Sequence, residues 1–152
     1  MTTQSNKHPA HGILLMEGQP TVIFDTICTR HKMNWLANSE VHQQLIETWT
    51  KADLWLVGRY VIMPNHIHLF AWATENANEY ENWVRYWKSF FTKLHKVAAH
   101  RWQTDHWDTR IRNAAALEEK WNYIKQNPQR DGLVSNENDW PFQGEVFQLR
   151  WP

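Results

Sequence analysis

Two apolar runs, Leu54–Met63 and His66–Ala73, are separated only by Pro64-Asn65. Proline and asparagine between strand-like runs predict a tight turn, and therefore an antiparallel β-hairpin. Whatever else the chain builds must be built on that pair of strands. The returning strand opens with His66-Ile67-His68-Leu69. Side chains alternate across a strand, so the two histidines share one face while Ile67 and Leu69 share the other. Two imidazoles side by side on a sheet face can supply two ligands to one metal ion.

Periodicity assigns the remaining elements. Thr21–Thr29 is rich in β-branched residues and predicts a first strand. Asn38-Ser39 offers helix-capping chemistry, and Val41, Leu45, Ile46 and Trp49 follow at helical spacing to about Lys51. After the hairpin, a polar and acidic connector (Thr74–Glu81) leads into a long helix carrying Trp83, Val84, Trp87, Phe90, Phe91, Leu94 and Val97. Trp107–Arg112 predicts a short strand, and Ala114–Gln126 a third helix stopped by Asn127-Pro128. The order β-α-β-β-α-β plus one helix predicts an α+β, ferredoxin-like fold. In it an antiparallel sheet is covered by helices on one face, and a further C-terminal helix follows. If those helices cover Ile67 and Leu69, the face of His66 and His68 is left open. We expect a flexible tail over residues 1–20, a single domain over 21–142 and a short tail over 143–152.

The third helix has two faces. At 100° per residue, Leu117, Trp121 and Ile124 fall in one narrow arc, which is the core face. Tyr123 and Asn127 lie well off that arc and about 40° from each other. A tyrosine is thus carried by a helix whose packing is done by other residues. The amide one turn later can offer an oxygen to a metal.

Composition narrows the partners. The 152 residues suffice for one domain with a real core. The lone Cys28 cannot form an internal disulfide, which fits a reducing cytoplasm. With no run of 18 apolar residues, no membrane span is expected. Net charge is zero, yet Arg85–Arg112 holds seven basic residues (Arg85, Lys88, Lys93, Lys96, Arg101, Arg110, Arg112) against Asp105 and Asp108, a local charge of +5. That makes a candidate phosphate-binding stripe of Arg85, Lys88, Lys93, Lys96, Arg110 and Arg112. Eleven tryptophans exceed ordinary use, and indoles stack well on unpaired bases as well as in cores.

Four spaced motifs now stand together: Met63-Pro64-Asn65-His66-Ile67-His68-Leu69; Trp107-Asp108-x-x-Ile111-Arg112-Asn113; Tyr123-Ile124-x-x-Asn127-Pro128-x-x-x-Gly132-Leu133-Val134; and Asp139-Trp140-Pro141-Phe142. In combination they resemble the REP-associated tyrosine transposases, within the broader HUH single-tyrosine transposases. The resemblance implies that His66 and His68 bind a divalent metal, Mg²⁺ or Mn²⁺, with Asn127 as a third ligand. It implies that Tyr123 is the nucleophile, forming a 5′-phosphotyrosine link and leaving a free 3′-OH. The implied partner is single-stranded or hairpin DNA of REP-like palindromes, bound by a monomer or homodimer in a bacterial, nucleoid-associated setting. The alternative is a domesticated protein that keeps the fold and binds DNA hairpins without cleaving them.

Other histidine-based chemistries fit less well. Histidine-triad hydrolases need a third alternating histidine where this chain has Phe70, and two-histidine phosphoesterases need a second His-x-Thr that is missing here. Replication initiators and relaxases share the histidine pair and tyrosine, but bring helicase domains or inserts not seen in this sequence. Among the tyrosines, Tyr60 lies within a strand and Tyr80 in the acidic connector. Tyr86 sits on the long helix with no additional metal ligand at its spacing. Only Tyr123 has an amide oxygen one turn later.

Overall fold

Alternating, β-branched sequence forms strands wherever one face can be buried. In the computed structural model, which describes residues 13–16 and 18–152, the strands are β1 (Leu14–Leu15), β2 (Val22–Cys28), β3 (Trp55–Ile62), β4 (His66–Ala73), β5 (Trp107–Ile111), β6 (Gln143–Glu145) and β7 (Leu149–Arg150). The helices are α1 (Ser39–Lys51), α2 (Tyr80–His95), α3 (Ala114–Ile124) and a single turn, α4 (Asn127–Arg130). Five strands form one antiparallel sheet in the order β5-β2-β4-β3-β6. The hairpin predicted from Pro64-Asn65 thus supplies the central strand β4. The architecture is the α+β, ferredoxin-like one expected from the order of elements.

The sheet buries both faces. On one, Ile27, Val57, Tyr60, Ile62, Ile67, Leu69 and Ala71 pack against Val41, Leu45 and Trp49 of α1 and Trp83, Val84, Trp87 and Phe91 of α2. On the other, Val22, Phe24, Val61, Met63, Phe70, Trp72 and Ile111 pack against Leu117 and Ile124 of α3 and against Trp140. The histidine face is therefore not left open. Helix α3 lies over part of it, while α1 and α2 take the opposite side as expected. Both α1 and α3 start on asparagine caps: Asn38 Oδ1 accepts from Val41 N–H at 2.9 Å, and Asn113 Oδ1 from Ala116 N–H at 2.8 Å.

Three segments differ from expectation. Asn127-Pro128 does not stop the helical path. After Lys125-Gln126 the chain turns again as α4, with the proline in its first turn, where a missing N–H costs nothing. Gln143–Glu145, expected within a tail, pairs with Arg59–Val61 and forms the fifth strand. Its side chains carry no strand signal; Trp140 directs it there, donating its indole N–H to Ile62 O at 3.0 Å. A Cβ at Gly144 would stand 3.1 Å from the Tyr60 hydroxyl, so glycine allows this close approach. Of the tail expected over 1–20, residues 1–12 and 17 lie outside the described residues, and Leu14–Leu15 pairs with Leu149–Arg150.

Tyr80, read as connector, instead begins α2 and closes a buried polar knot. Its hydroxyl donates to Asp25 Oδ2 at 2.6 Å; Asp25 is fully buried. His106 Nδ1 lies 2.8 Å from the same carboxylate, and its Nε2 lies 2.6 Å from Glu81. Burial alone would depress the His106 pKa, but the hydrogen bonds and charges of Asp25 and Glu81 outweigh it and raise it. A histidine raised on folding stabilises the native state fully below its unfolded pKa, and loses that contribution as pH rises through the folded one. Wild-type stability should therefore fall on going from about pH 6 upward through neutrality. His106→Asn should flatten that slope, measured as urea midpoints across pH. An unchanged slope would place the titration elsewhere.

Candidate active site

The turn that presents the histidines is tied down on both sides. Met63 N–H donates to His66 O at 2.8 Å, closing the hairpin. The carbonyls of Pro64 and Asn65 each accept at 3.0 Å, from Leu36 N–H and Thr29 N–H respectively. The buried Thr29 hydroxyl adds a 3.2 Å bond to Asn65 O.

On that frame both imidazoles are oriented through the same nitrogen. His66 Nδ1 meets Asn65 Oδ1 at 2.7 Å, and His68 Nδ1 meets Thr26 Oγ1 at 2.9 Å. With Nδ1 engaged in each ring, Nε2 is the nitrogen left for a ligand, the arrangement in which an outer partner fixes a metal-binding histidine. The rings lie 4.8 Å apart, edge to face, and Phe24 stacks on His68 at 5.6 Å. Burial lowers the His66 pKa, with Asp131 opposing and Lys32 reinforcing that shift. Burial, then the charges of His66, Lys120 and Arg130, pushes His68 down to about 3. Burial thus disfavours the charged form of both rings, and the neutral form is the one in which imidazole ligates metal. Cys28 pairs with His66 across β2 and β4, and burial pushes its thiol pKa up.

Above this face runs α3. Leu117 and Ile124 are buried and Trp121 half-buried, while Tyr123 is 62% exposed, as the helical wheel requires. Tyr123 and Asn127 are brought together by a residue absent from the sequence reading, Arg130. Its guanidinium lies 4.2 Å from the Tyr123 ring centre, donates to Tyr123 O at 2.9 Å, and donates to Asn127 Oδ1. The signal for Arg130 was Pro128 read as a helix start, which puts Arg130 one turn after Asn127. His66 and His68 thus keep their Nε2 atoms for a ligand, whereas the side-chain oxygen of Asn127 is engaged by Arg130. Groups of three or more His, Cys, Asp or Glu able to hold a metal are absent among the described residues, so any third protein ligand must be of another type.

The basic stripe divides. Arg85, Lys88, Lys93 and Lys96 line one open cavity of about 780 Å³ beside α2, together with Arg101 and Trp102. Lys88 is partly structural there, donating to Gln103 O at 3.0 Å. A second cavity of about 770 Å³ shares Arg101–Thr104 and adds Arg30, His31 and Lys32. His31 and Lys32 both hold left-handed backbone (φ 58° and 53°), uncommon for residues other than glycine. Lys32 acts electrostatically on His66, so this basic surface reaches round to the histidines. Arg110 and Arg112 stand apart, on and just after the edge strand β5.

Of the four tyrosines, Tyr60 and Tyr80 are withdrawn. Tyr60 is fully buried with its hydroxyl 2.7 Å from His42 Nε2, and burial pushes its pKa up. Burial and the Asp25 carboxylate raise Tyr80 well above an ordinary phenol. Tyr86 is exposed, but on α2, across the sheet from the histidines.

No protein-family model matches the chain. A REP-associated tyrosine transposase of Escherichia coli is 30% identical, the match covering 57% of this chain and 52% of that one. A Haemophilus influenzae protein given the same name provisionally is 30% identical, over 59% of this chain and 62% of its own. The chain thus spans between half and two thirds of the length of these curated relatives. The solved structure of a REP-associated tyrosine transposase bound to a REP hairpin superposes with a TM-score of 0.71 at 25% identity, over 83% of this chain and 77% of that one. A protein of Deinococcus radiodurans provisionally called a transposase, 11% identical, shares the fold alone, with a TM-score of 0.50 over 72% of this chain and 92% of that one. In sequence and in fold, this chain is similar to REP-associated tyrosine transposases.

Proposed function

We propose that the protein cleaves and rejoins single-stranded DNA beside a hairpin, through a covalent 5′-phosphotyrosine on Tyr123. The observation that carries this reading is the histidine pair: both Nδ1 atoms anchored, on the sheet face against which α3, the helix that carries Tyr123, packs. The Tyr123 oxygen attacks the scissile phosphorus as its proton is lost, and the bond to the 3′ oxygen breaks, leaving a 3′-OH. The phosphotyrosine conserves the bond energy, so attack by a 3′-OH reverses the step and joins strands. His66, His68 and Asn127 would hold a Mg²⁺ or Mn²⁺ ion, which when bound supplies Lewis-acid polarisation of the phosphoryl oxygens. Mixed imidazole and amide ligation favours Mn²⁺. Asn127 joins the set once Arg130 releases its oxygen, and a DNA phosphate is the natural competitor for that guanidinium.

The basic cavities beside α2 supply the track for the DNA backbone. Each phosphate contact removed should flatten the log–log dependence of affinity on salt by about 0.7 for single strands and 0.9 for duplex. Replacing Lys93, Lys96 and Arg101 together with Gln should flatten it by about two units overall, read by titration at several salt concentrations. A slope unchanged by that triple replacement would remove this surface from the interface.

The deciding experiment incubates the protein with a DNA hairpin bearing a single-stranded flank, plus Mn²⁺, and looks for a denaturation-resistant protein–DNA adduct. An adduct mapped to Tyr123 supports the transposase reading. Tight hairpin binding with no adduct under any divalent cation would favour the non-cleaving, hairpin-binding alternative.

A further inference from the structure

The sheet face that carries the histidines continues beyond them. His68 on β4 pairs with Thr26 on β2, and Thr26 pairs in turn with Trp107 on β5. Directly paired residues point to the same side of a sheet, so these three form one row across three strands. The 2.9 Å contact between Thr26 Oγ1 and His68 Nδ1 fixes which side that is. Ile111, four residues after Trp107 on the same strand, is buried on that side with Phe24 and Leu117. Two strand spacings set Trp107 about 10 Å from His68.

The indole there is unlike its ten counterparts. Seven of the eleven tryptophans are buried in the core and three are half-buried. Trp107 alone is exposed, at 57%. The tryptophan surplus is therefore almost wholly structural, with one large apolar ring left in water beside the candidate site. Its surroundings favour an anionic chain over an apolar protein surface. The Lys120 ammonium stands 5.1 Å from the Phe24 ring centre, and the charges of Lys120 and Arg130 both reach His68. A ring face on the row that ends at His68, where those two charges act, matches a nucleotide, whose base stacks while its phosphate is neutralised. Bases inside a duplex are already stacked on their neighbours, so the matching ligand is an unpaired one.

We propose that Trp107 is a stacking platform for an unpaired base in the single-stranded flank, close to the phosphate that is cleaved. The proposal rests on the transposase reading above and adds to it a residue that distinguishes flanked from bare hairpins.

The test compares wild type with Trp107→Thr, which keeps a strand-forming residue at an exposed edge, and with Trp107→Phe, which keeps a smaller ring. Three DNAs are used: a hairpin with a single-stranded flank, the same molecule with abasic flank positions, and the bare hairpin. Trp107→Thr should weaken binding to the flanked hairpin by about tenfold or more, and leave the abasic-flank and bare hairpins unchanged. Trp107→Phe should recover part of the loss. Equal affinity of wild type and Trp107→Thr for the flanked hairpin would overturn the stacking role alone. So would an equal loss on all three DNAs. Failure of the wild type to bind any of them would instead sink the transposase reading, and the platform with it.

Discussion

Tyr123→Phe should eliminate the covalent protein–DNA adduct while leaving hairpin affinity within about twofold of wild type. The substitution removes one oxygen and almost no volume from a side chain that is 62% exposed, so the fold has little to lose. The Arg130 guanidinium sits over the ring and donates to the backbone oxygen at 2.9 Å; neither contact uses the phenolic hydroxyl. Deleting the nucleophile of a covalent mechanism leaves nothing to form the bond, and the loss should exceed about three orders of magnitude. Tyr86→Phe is the matched control, because Tyr86 is the other exposed tyrosine and lies across the sheet from the histidines. An adduct that survives Tyr123→Phe, or one mapped by peptide mass to Tyr86, would end the assignment. Tyr60 and Tyr80 are disfavoured on different grounds, since burial has raised both phenols further from ionisation.

The fold was legible where a local pattern had one solution. Alternation in Leu54–Met63 and His66–Ala73 around Pro64-Asn65 could only make a hairpin, and the observed strands differ from those runs by at most a residue at each end. The capping asparagine at 38 starts the helix it was expected to start, whereas the cap at Asn113 emerges only from the structure. What stayed hidden depends on contacts distant in sequence. Gln143-Gly144-Glu145 has no apolar side chain, and it pairs because Trp140 hydrogen-bonds to Ile62 and Gly144 leaves room for the Tyr60 hydroxyl. Tyr80 reads as part of an acidic connector until Asp25 and His106, far away in the chain, are seen to bury it.

The candidate site divided along the same line. The shared face of His66 and His68 follows from strand geometry alone, and the exposure of Tyr123 from helical geometry alone. The identity of each Nδ1 partner does not follow from either. Asn65 is adjacent in sequence, but Thr26 is reached only through the register of β2 against β4. Arg130 was hidden by a rule applied too strongly: proline excludes a helix interior but is welcome in a first turn. Basic residues on α2 were readable as a stripe, whereas Arg30, His31 and Lys32 belong to the same surface only because the turn after β2 folds back beside Arg101.

His66→Ala and His68→Ala should each abolish Mn²⁺-dependent cleavage and, in the DNA-free protein, the cation binding seen by calorimetry. Both rings lie on the sheet face away from α1 and α2, so each truncation should cost only about 1 kcal/mol of stability, well short of unfolding. Hairpin affinity in the absence of cations should persist, because the basic cavities are lined by other residues. A ligand role differs from a merely structural one in its dependence on the outer partner. Thr26→Val keeps a β-branched side chain of similar volume but removes the hydroxyl 2.9 Å from His68 Nδ1. It should weaken cation affinity by about ten- to a hundredfold without touching either imidazole. If His68 were only a packing residue under Phe24, Thr26→Val would alter thermal stability and leave the calorimetric affinity where it was. Unchanged cation binding in both histidine variants would remove the metal from this face altogether.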